Sequence, residues 1–322
     1  MNDDAIHFLQ TYAAGAEVAG GWLYGKALQQ AALDYSPDSL KRLDALLAQV
    51  RDRVKPSRDV LDSPPGRNFA SLLAFYVIEI ARRLSGADID WLDRAGVARV
   101  LPPGSVLPDT PAARLVAGAL DHGLVFTPLG WLEAQLLPDG QAIPAGDYVA
   151  SVVAQIQRDG PVEWWRAARE IGKLGSWQIS LAVEQRPLWP ALVSQAAPST
   201  LMAMPPGDLR VAVQTGDRLL ETNPEGAAWQ VFAYAGYKEQ DGARLDAVVV
   251  IGATYGAMPM RMKVAFPFVP AREGRRFAIL RPALVEANLT VETCGKLGGA
   301  MERGIRDSAW TVGGGWNAMY VG

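Results

Sequence analysis

Lys238-Glu239-Gln240-Asp241-Gly242, set between Trp229–Tyr237 and Arg244–Ile251, is the stretch on which the fold class turns. Its flanks are rich in Val, Ile and aromatic residues, which suit a pleated, half-buried surface. Asp-Gly between them supplies the turn of a hairpin. Downstream, Met260, Met262, Val264, Phe266 and Phe268 alternate with Arg261 and Lys263, which predicts a strand with one buried face. Pro267 and Pro270 place its far end at an edge or past the sheet. Phe277–Leu280 adds a short strand, and Leu209–Gln214 is a candidate strand upstream. Gly252 and Gly256 read as a bulge or bend at a strand end. Strands joined by such short turns favour an antiparallel meander over a parallel sheet. From about Leu289 to Ser308 the pattern is helical despite Gly295, Gly298 and Gly299. The apolar tail after Trp310 is expected to pack down.

Upstream, the first hundred residues read as helix. Residues 4–30 are rich in Ala, Leu and Gln, with Gly15, Gly20, Gly21 and Gly25 weakening the run. In Asp34-Tyr35-Ser36-Pro37-Asp38-Ser39-Leu40, Ser36 suits an N-cap and Pro37 the first helical position. Asp38 falls in the first turn, where the helix dipole favours an acid, and Tyr35 and Leu40 stand at the positions of a hydrophobic staple. Leu40, Leu43, Leu47, Val50 and Val54 continue as one stripe, which Pro56 ends. A third helix is predicted from Asn68 to Leu84, stopped by Gly86 and apolar nearly all round from Phe69 to Ile80. Such a helix is central, covered by its neighbours.

Residues 101–145 carry seven prolines yet stay apolar, which predicts an ordered, wrapping connection with a short helix near 111–121. Helical pattern returns at Asp147–Arg158, Val162–Leu174 and Gln178–Glu184. The prolines at 187, 190, 198, 205 and 206 mark a boundary between halves. The expected fold class is α+β. It has a helical part (1–100), a proline-rich ordered connection with helices (101–206), and a C-terminal antiparallel sheet with a closing helix (207–322). The halves are expected to share a large interface, because the connection is apolar.

Asp34-Tyr35-Ser36, Ser39-Leu40 and Leu43-Asp44, followed by Leu72-Leu73-Ala74-Phe75-Tyr76-Val77-Ile78-Glu79, resemble a motif pair of uncharacterised bacterial proteins. There a "DYS..SL..LD" helix start precedes a helix reading roughly "LLGAYLGE". The resemblance covers residues 30–85 and departs at Ala74 and Ile78, where that pattern has Gly. Some of those proteins belong to toxin–immunity or secretion-linked loci, which implies a protein-binding role. The pattern carries no catalytic residue.

Composition narrows the function classes. Hydrophobic residues make up 49% of the 322-residue chain, enough for a core that needs no disulfide or metal. A net charge of −3 argues against a dedicated nucleic-acid binder, which needs a basic stripe for phosphates. The one cysteine, Cys294, cannot form an internal disulfide, and the acidic start Met1-Asn2-Asp3-Asp4 lacks the positive charge of a secretory signal. The longest apolar run, Phe69–Ile80, falls short of the roughly 20 residues that span a bilayer. The chain is therefore expected to be cytoplasmic, with no nucleic-acid or membrane partner and no cofactor.

Reactive side chains are few. Glu79 lies in an apolar helical stretch, where burial would raise its pKa as a general acid or base requires. Helical spacing instead pairs it with Arg82 or Arg83. His7 and His122 are isolated; no HxxxH or CxxC spacing supports a metal, and Cys294 reads as an inert thiol. Gly313-Gly314-Gly315 lacks the Lys-Ser/Thr ending of a phosphate loop. Trp164, Trp165, Arg166 and Arg169 form an aromatic–basic cluster that could grip an acidic partner. The alternative is packing, since Trp165 and Arg169 share a helical face and an Arg stem covers indole well.

Three functions follow in order. The first is a non-catalytic interaction protein, immunity- or adaptor-like, with the Trp/Arg cluster or a Met/Phe patch as its surface. The second is a hydrolase that uses carboxylates alone, with Glu79 first among them. The third is a binder of small ligands in an apolar pocket between the halves.

Overall fold

The structure, a computed structural model, describes residues 2–93, 96–97, 110–137, 142–203, 208–240 and 242–321. It is α+β and divides into two compact units, Met1–Arg158 and Asp159–Gly322. The division falls inside the 101–206 tract, whose helices contribute to both units.

In the first unit, α1 (Asn2–Ala13), α4 (Arg58–Asp62), α6 (Pro128–Leu136) and α7 (Ala145–Gln157) pack against the long α5 (Pro64–Ser85), and α2 (Gly25–Ala31) packs on α3 (Pro37–Gln49), which in turn meets α6 and α7. Ser63 caps α5 by accepting from Gly66 N–H, Pro64 takes the first position, and Gly86 ends it in the left-handed region. Phe69, Leu72, Leu73, Ala74, Tyr76 and Val77 are completely buried along it. Each large side chain among them contributes about 1.5–3 kcal/mol through lost hydration. A three-stranded antiparallel sheet, β1 (Asp90–Leu92), β2 (Val116–Ala119) and β3 (Leu124–Phe126), adds to this unit.

Ser36 caps α3 as predicted, accepting from Ser39 N–H at 3.3 Å. Tyr35 stands just before this cap. It adopts φ +63° and stacks on Tyr76 at 4.8 Å, and its N–H donates to the Tyr76 hydroxyl. The apolar stripe loosens after Val50 into a π turn (Val50–Val54) that leaves Val54 exposed. Residues 4–30 are two helices, because Gly15, Gly20 and Gly21 take positive φ between them. The helix expected near 111–121 is instead two 3₁₀ turns around β2; residues 101–109 lie outside those described.

In the second unit, α8 (Val162–Val183) is one continuous helix where two were expected. It lies on a seven-stranded antiparallel sheet formed by the described residues. The order is β10 (Ala283–Ala287), β8 (Arg261–Val269), β7 (Ala243–Thr254), β6 (Trp229–Gln240), β4 (Ala191–Ser194) and β5 (Ala197–Ala203), with β9 (Ala278–Ile279) also pairing β8. The hairpin β6–β7 is the predicted one, with strands that run further than expected. Gln240 pairs Ala243, which leaves only Asp241 and Gly242 for the turn; Asp241 lies outside the described residues and Gly242 has φ +75°. Gly252 keeps regular register in β7, and Gly256 makes the turn beyond it.

Leu209–Gln214 is not a strand. It opens α9 (Leu209–Thr222), capped by Asp208 and closed by Asn223. Val211 and Val213 mimic strand alternation, whereas the buried positions Gly216 and Leu220 follow the helical period. Pro267 also departs from expectation, because β8 is an interior strand. Phe268 pairs β9 and Ala265 pairs β10, so the missing N–H of Pro267 faces the break between those two strands. One face of the sheet (Val231, Val248, Val250, Val264, Phe266) packs under α8 and the closing helix α10 (Val291–Asp307). The other face meets α9 through Phe232, Ile251 and Leu220. The tail packs down through α11 (Ala309–Val312) and α12 (Gly315–Met319), with Trp316 buried and Val321 N–H donating to Ile279 O. No helix of the described residues is long and apolar enough to cross a membrane.

Candidate functional site

The Trp/Arg cluster is a packing assembly. Trp164 and Trp165 are both in the core with Ala167, Ala168 and Ile171, and the Trp164 indole N–H donates to Met258 O at 2.9 Å. Arg169 holds Asp307 of α10 at 2.7 Å, and Arg166 is half-buried. The exposed aromatic surface expected at these residues does not exist in this fold. The buried stripe on α8 faces the sheet and therefore carries both indoles inward.

Glu79 is clamped by two arginines: Arg82 donates to Oε2 and Oε1 at 2.7 and 3.0 Å, and Arg83 to Oε1 at 2.7 Å. Burial pushes its pKa up, but the hydrogen bonds and charges of Arg82 and Arg83 outweigh burial and hold it below the ordinary glutamate value. This is the opposite of the shift a general acid needs at neutral pH. Glu79, both arginines and Tyr35 line an open cavity of about 570 Å³, and Arg83 sits 4.0 Å over the Tyr35 ring.

His7 is exposed beside Phe8, and His122 is half-buried in a 3₁₀ turn. Among the described residues no group of three or more His, Cys, Asp or Glu could hold a metal. Cys294 is a half-buried free thiol whose pKa burial pushes up. Asp44, which composition could not single out, accepts from Ala145 N–H at 2.8 Å and so caps α7 from α3. Desolvation raises its pKa against that hydrogen bond.

An open, largely apolar groove of about 810 Å³ lies between β10 and α10 in the second unit. Leu284, Val291, Ile305, Trp316 and Tyr320 line it. Val291, in the first turn of α10, is 86% exposed, and Leu284 and Val285 are 47% and 52% exposed. β10 closes one end of the sheet, paired with β8 and with no other described strand. A bulge between Leu284 and Glu286, with Pro282 just before the strand, shortens the regular edge. Such devices restrain indiscriminate edge pairing. Gly295 and Gly298 line the α10 wall, where an added Cβ would meet nothing within 4 Å. Arg281 and Arg306 against Glu302 give the walls an excess of positive charge. Sequence reasoning passed over Val291 because its neighbours are polar. Its phase on α10, with Gly295, Gly298 and Glu302, is the signal that could have found it.

No family model, curated protein or solved structure matches the chain.

Proposed function

We propose that this is a non-catalytic interaction protein that takes a short apolar segment of another protein, bearing an acidic residue, into the groove between β10 and α10. The observation that carries the proposal is the run of solvent-exposed Leu284, Val285 and Val291 beside a sheet edge that pairs with no second described strand. Exposed apolar side chains grouped in this way mark interaction sites on soluble proteins. A sheet edge offers main-chain hydrogen bonds to an extended segment, and adjoining pockets select its side chains. The bulge and Pro282 favour a short segment over a long added strand. Arg281 and Arg306 favour an acid on it. The resemblance of residues 30–85 to uncharacterised bacterial proteins, some of them from toxin–immunity or secretion-linked loci, supports the same kind of role.

The test is affinity capture with the intact chain and with Leu284→Asp/Val291→Asp as baits, followed by hydrogen exchange on the captured complex. A stoichiometric partner should bind the first bait, be lost with the second, and slow exchange at the amides of residues 283–287. Equal capture by both baits, or a complex whose β10 amides exchange as in the free protein, would remove this groove as the binding site.

A further inference from the structure

A chemically different cavity lies in the first unit. α4 and the start of α5 form one wall, and the segment after Thr110 together with α6 forms the other, around a pocket of about 210 Å³. Its floor is leucine: Leu115, Leu129, Leu132 and Leu136, of which Leu132 and Leu136 are fully buried. Its mouth is arginine: Arg58, Arg67 and Arg114 stand there, with Asp62 and Glu133 as the carboxylates among the described residues.

The Asp62 carboxylate is already engaged, with Arg114 Nη2 at 2.7 Å, while Arg67 Nε donates to the Asp62 carbonyl oxygen at 2.6 Å. The Arg58 guanidinium makes no hydrogen bond or ion pair to a described residue. The Asp62 carboxyl is held below the ordinary aspartate range by the Arg114 hydrogen bond, then by the charges of Arg114, Arg67 and Arg58. Three guanidinium fields thus converge on one mouth above an apolar floor.

That pairing of surfaces selects an amphipathic anion. Leucine side chains favour an apolar body, because its burial removes surface from water. A guanidinium presents a planar fork that matches a carboxylate, and charge-assisted bonds of this kind are the strong ones. The cavity is smaller than the roughly 300–1,000 Å³ of drug-sized sites, so the body is a short alkyl chain or a single ring. We propose that this pocket binds a small apolar monocarboxylate. The site lies wholly in the first unit and does not depend on the groove at β10.

The test is an NMR titration of the full-length ¹⁵N-labelled chain with hexanoate, hexan-1-ol and hexylammonium. Hexanoate should shift the Ala70, Ser71 and Leu132 amides saturably, and bind at least about tenfold more tightly than the alcohol or the ammonium, the scale of one charge-assisted contact. Arg58→Gln, at an exposed position, should weaken hexanoate about tenfold. Ala70→Leu should fill the cavity and abolish the shifts while the remaining spectrum stays folded. Alcohol or ammonium binding as tightly as hexanoate, shifts that survive both variants, or no saturable shift at these amides would each overturn the assignment.

Discussion

Gly172 of α8 and Gly304 of α10 meet where the two helices cross, and their missing side chains let the backbones touch. A Cβ on Gly172 would overlap the Met301 carbonyl oxygen, and one on Gly304 would overlap the Arg169 carbonyl oxygen. The obstacles are backbone atoms, which cannot swing away as a side chain can. Arg169 and Asp307 clasp the same crossing from outside. Gly172→Ala and Gly304→Ala should each destabilise the second unit by about 1–3 kcal/mol, the usual cost of overpacking, despite alanine's better helix propensity. Gly298→Ala on the same helix meets open space and should stabilise by up to about 1 kcal/mol. Urea unfolding of the three variants checks the contrast; equal effects would contradict the close crossing.

Tyr76 ties α5 to the start of α3. Its buried hydroxyl accepts from Tyr35 N–H and bonds the Ser39 hydroxyl, which in turn donates to Ser36 O at 2.6 Å. Tyr76→Phe leaves a part-buried N–H without its acceptor and should cost about 1–3 kcal/mol. Faster hydrogen exchange at the Tyr35 amide is the local readout. A cycle with Ser39→Ala should show coupling, since both side chains belong to one network.

Acid should weaken the first unit through Asp34. Hydrogen bonds from the Ser36 hydroxyl and N–H, then from Arg42, pull its pKa from 3.8 down to about 2. A group whose pKa is lower folded than unfolded adds stability above the unfolded value and loses it as the pH falls through the folded one. Asp34 therefore contributes to a fall in stability between about pH 4 and pH 2, and Glu79, also depressed, adds to the acid limb. Asp34→Asn should flatten the lower part of that limb in urea midpoints measured against pH.

Trp165 and Val291 should behave as opposites. Trp165 is 3% exposed, so Trp165→Ala should cost about 3–5 kcal/mol by opening a cavity. Val291→Ser should stay within about 0.5 kcal/mol of wild type, because its side chain is in solvent. Thermal unfolding of the two variants distinguishes them. A stable Trp165→Ala protein would contradict the burial of the indole.

Local chemistry made much of the chain legible before any contact was known. The Ser36-Pro37 and Gly86 signals bound their helices, an all-round apolar α5 announced its central place, and Asp241-Gly242 between two β-branched runs announced the hairpin. These features depend on capping, periodicity and turn geometry within a few residues. Other features depended on which surfaces meet. Val211 and Val213 favour a strand by local preference, but α9 forms because Gly216 and Leu220 dock on the sheet near Phe232. Trp164 and Arg169 read either as a binding cluster or as packing in one dimension; the sheet takes the indole inside, and Asp307, distant in sequence, takes the arginine. Both candidate sites draw on segments far apart in the chain: Leu284 with Val291 and Tyr320 in one, Arg58 with Arg114 and Leu132 in the other. Periodicity can say that a face is buried or exposed, but only the tertiary structure decides what stands opposite it, because that choice is made by contacts with no local signature.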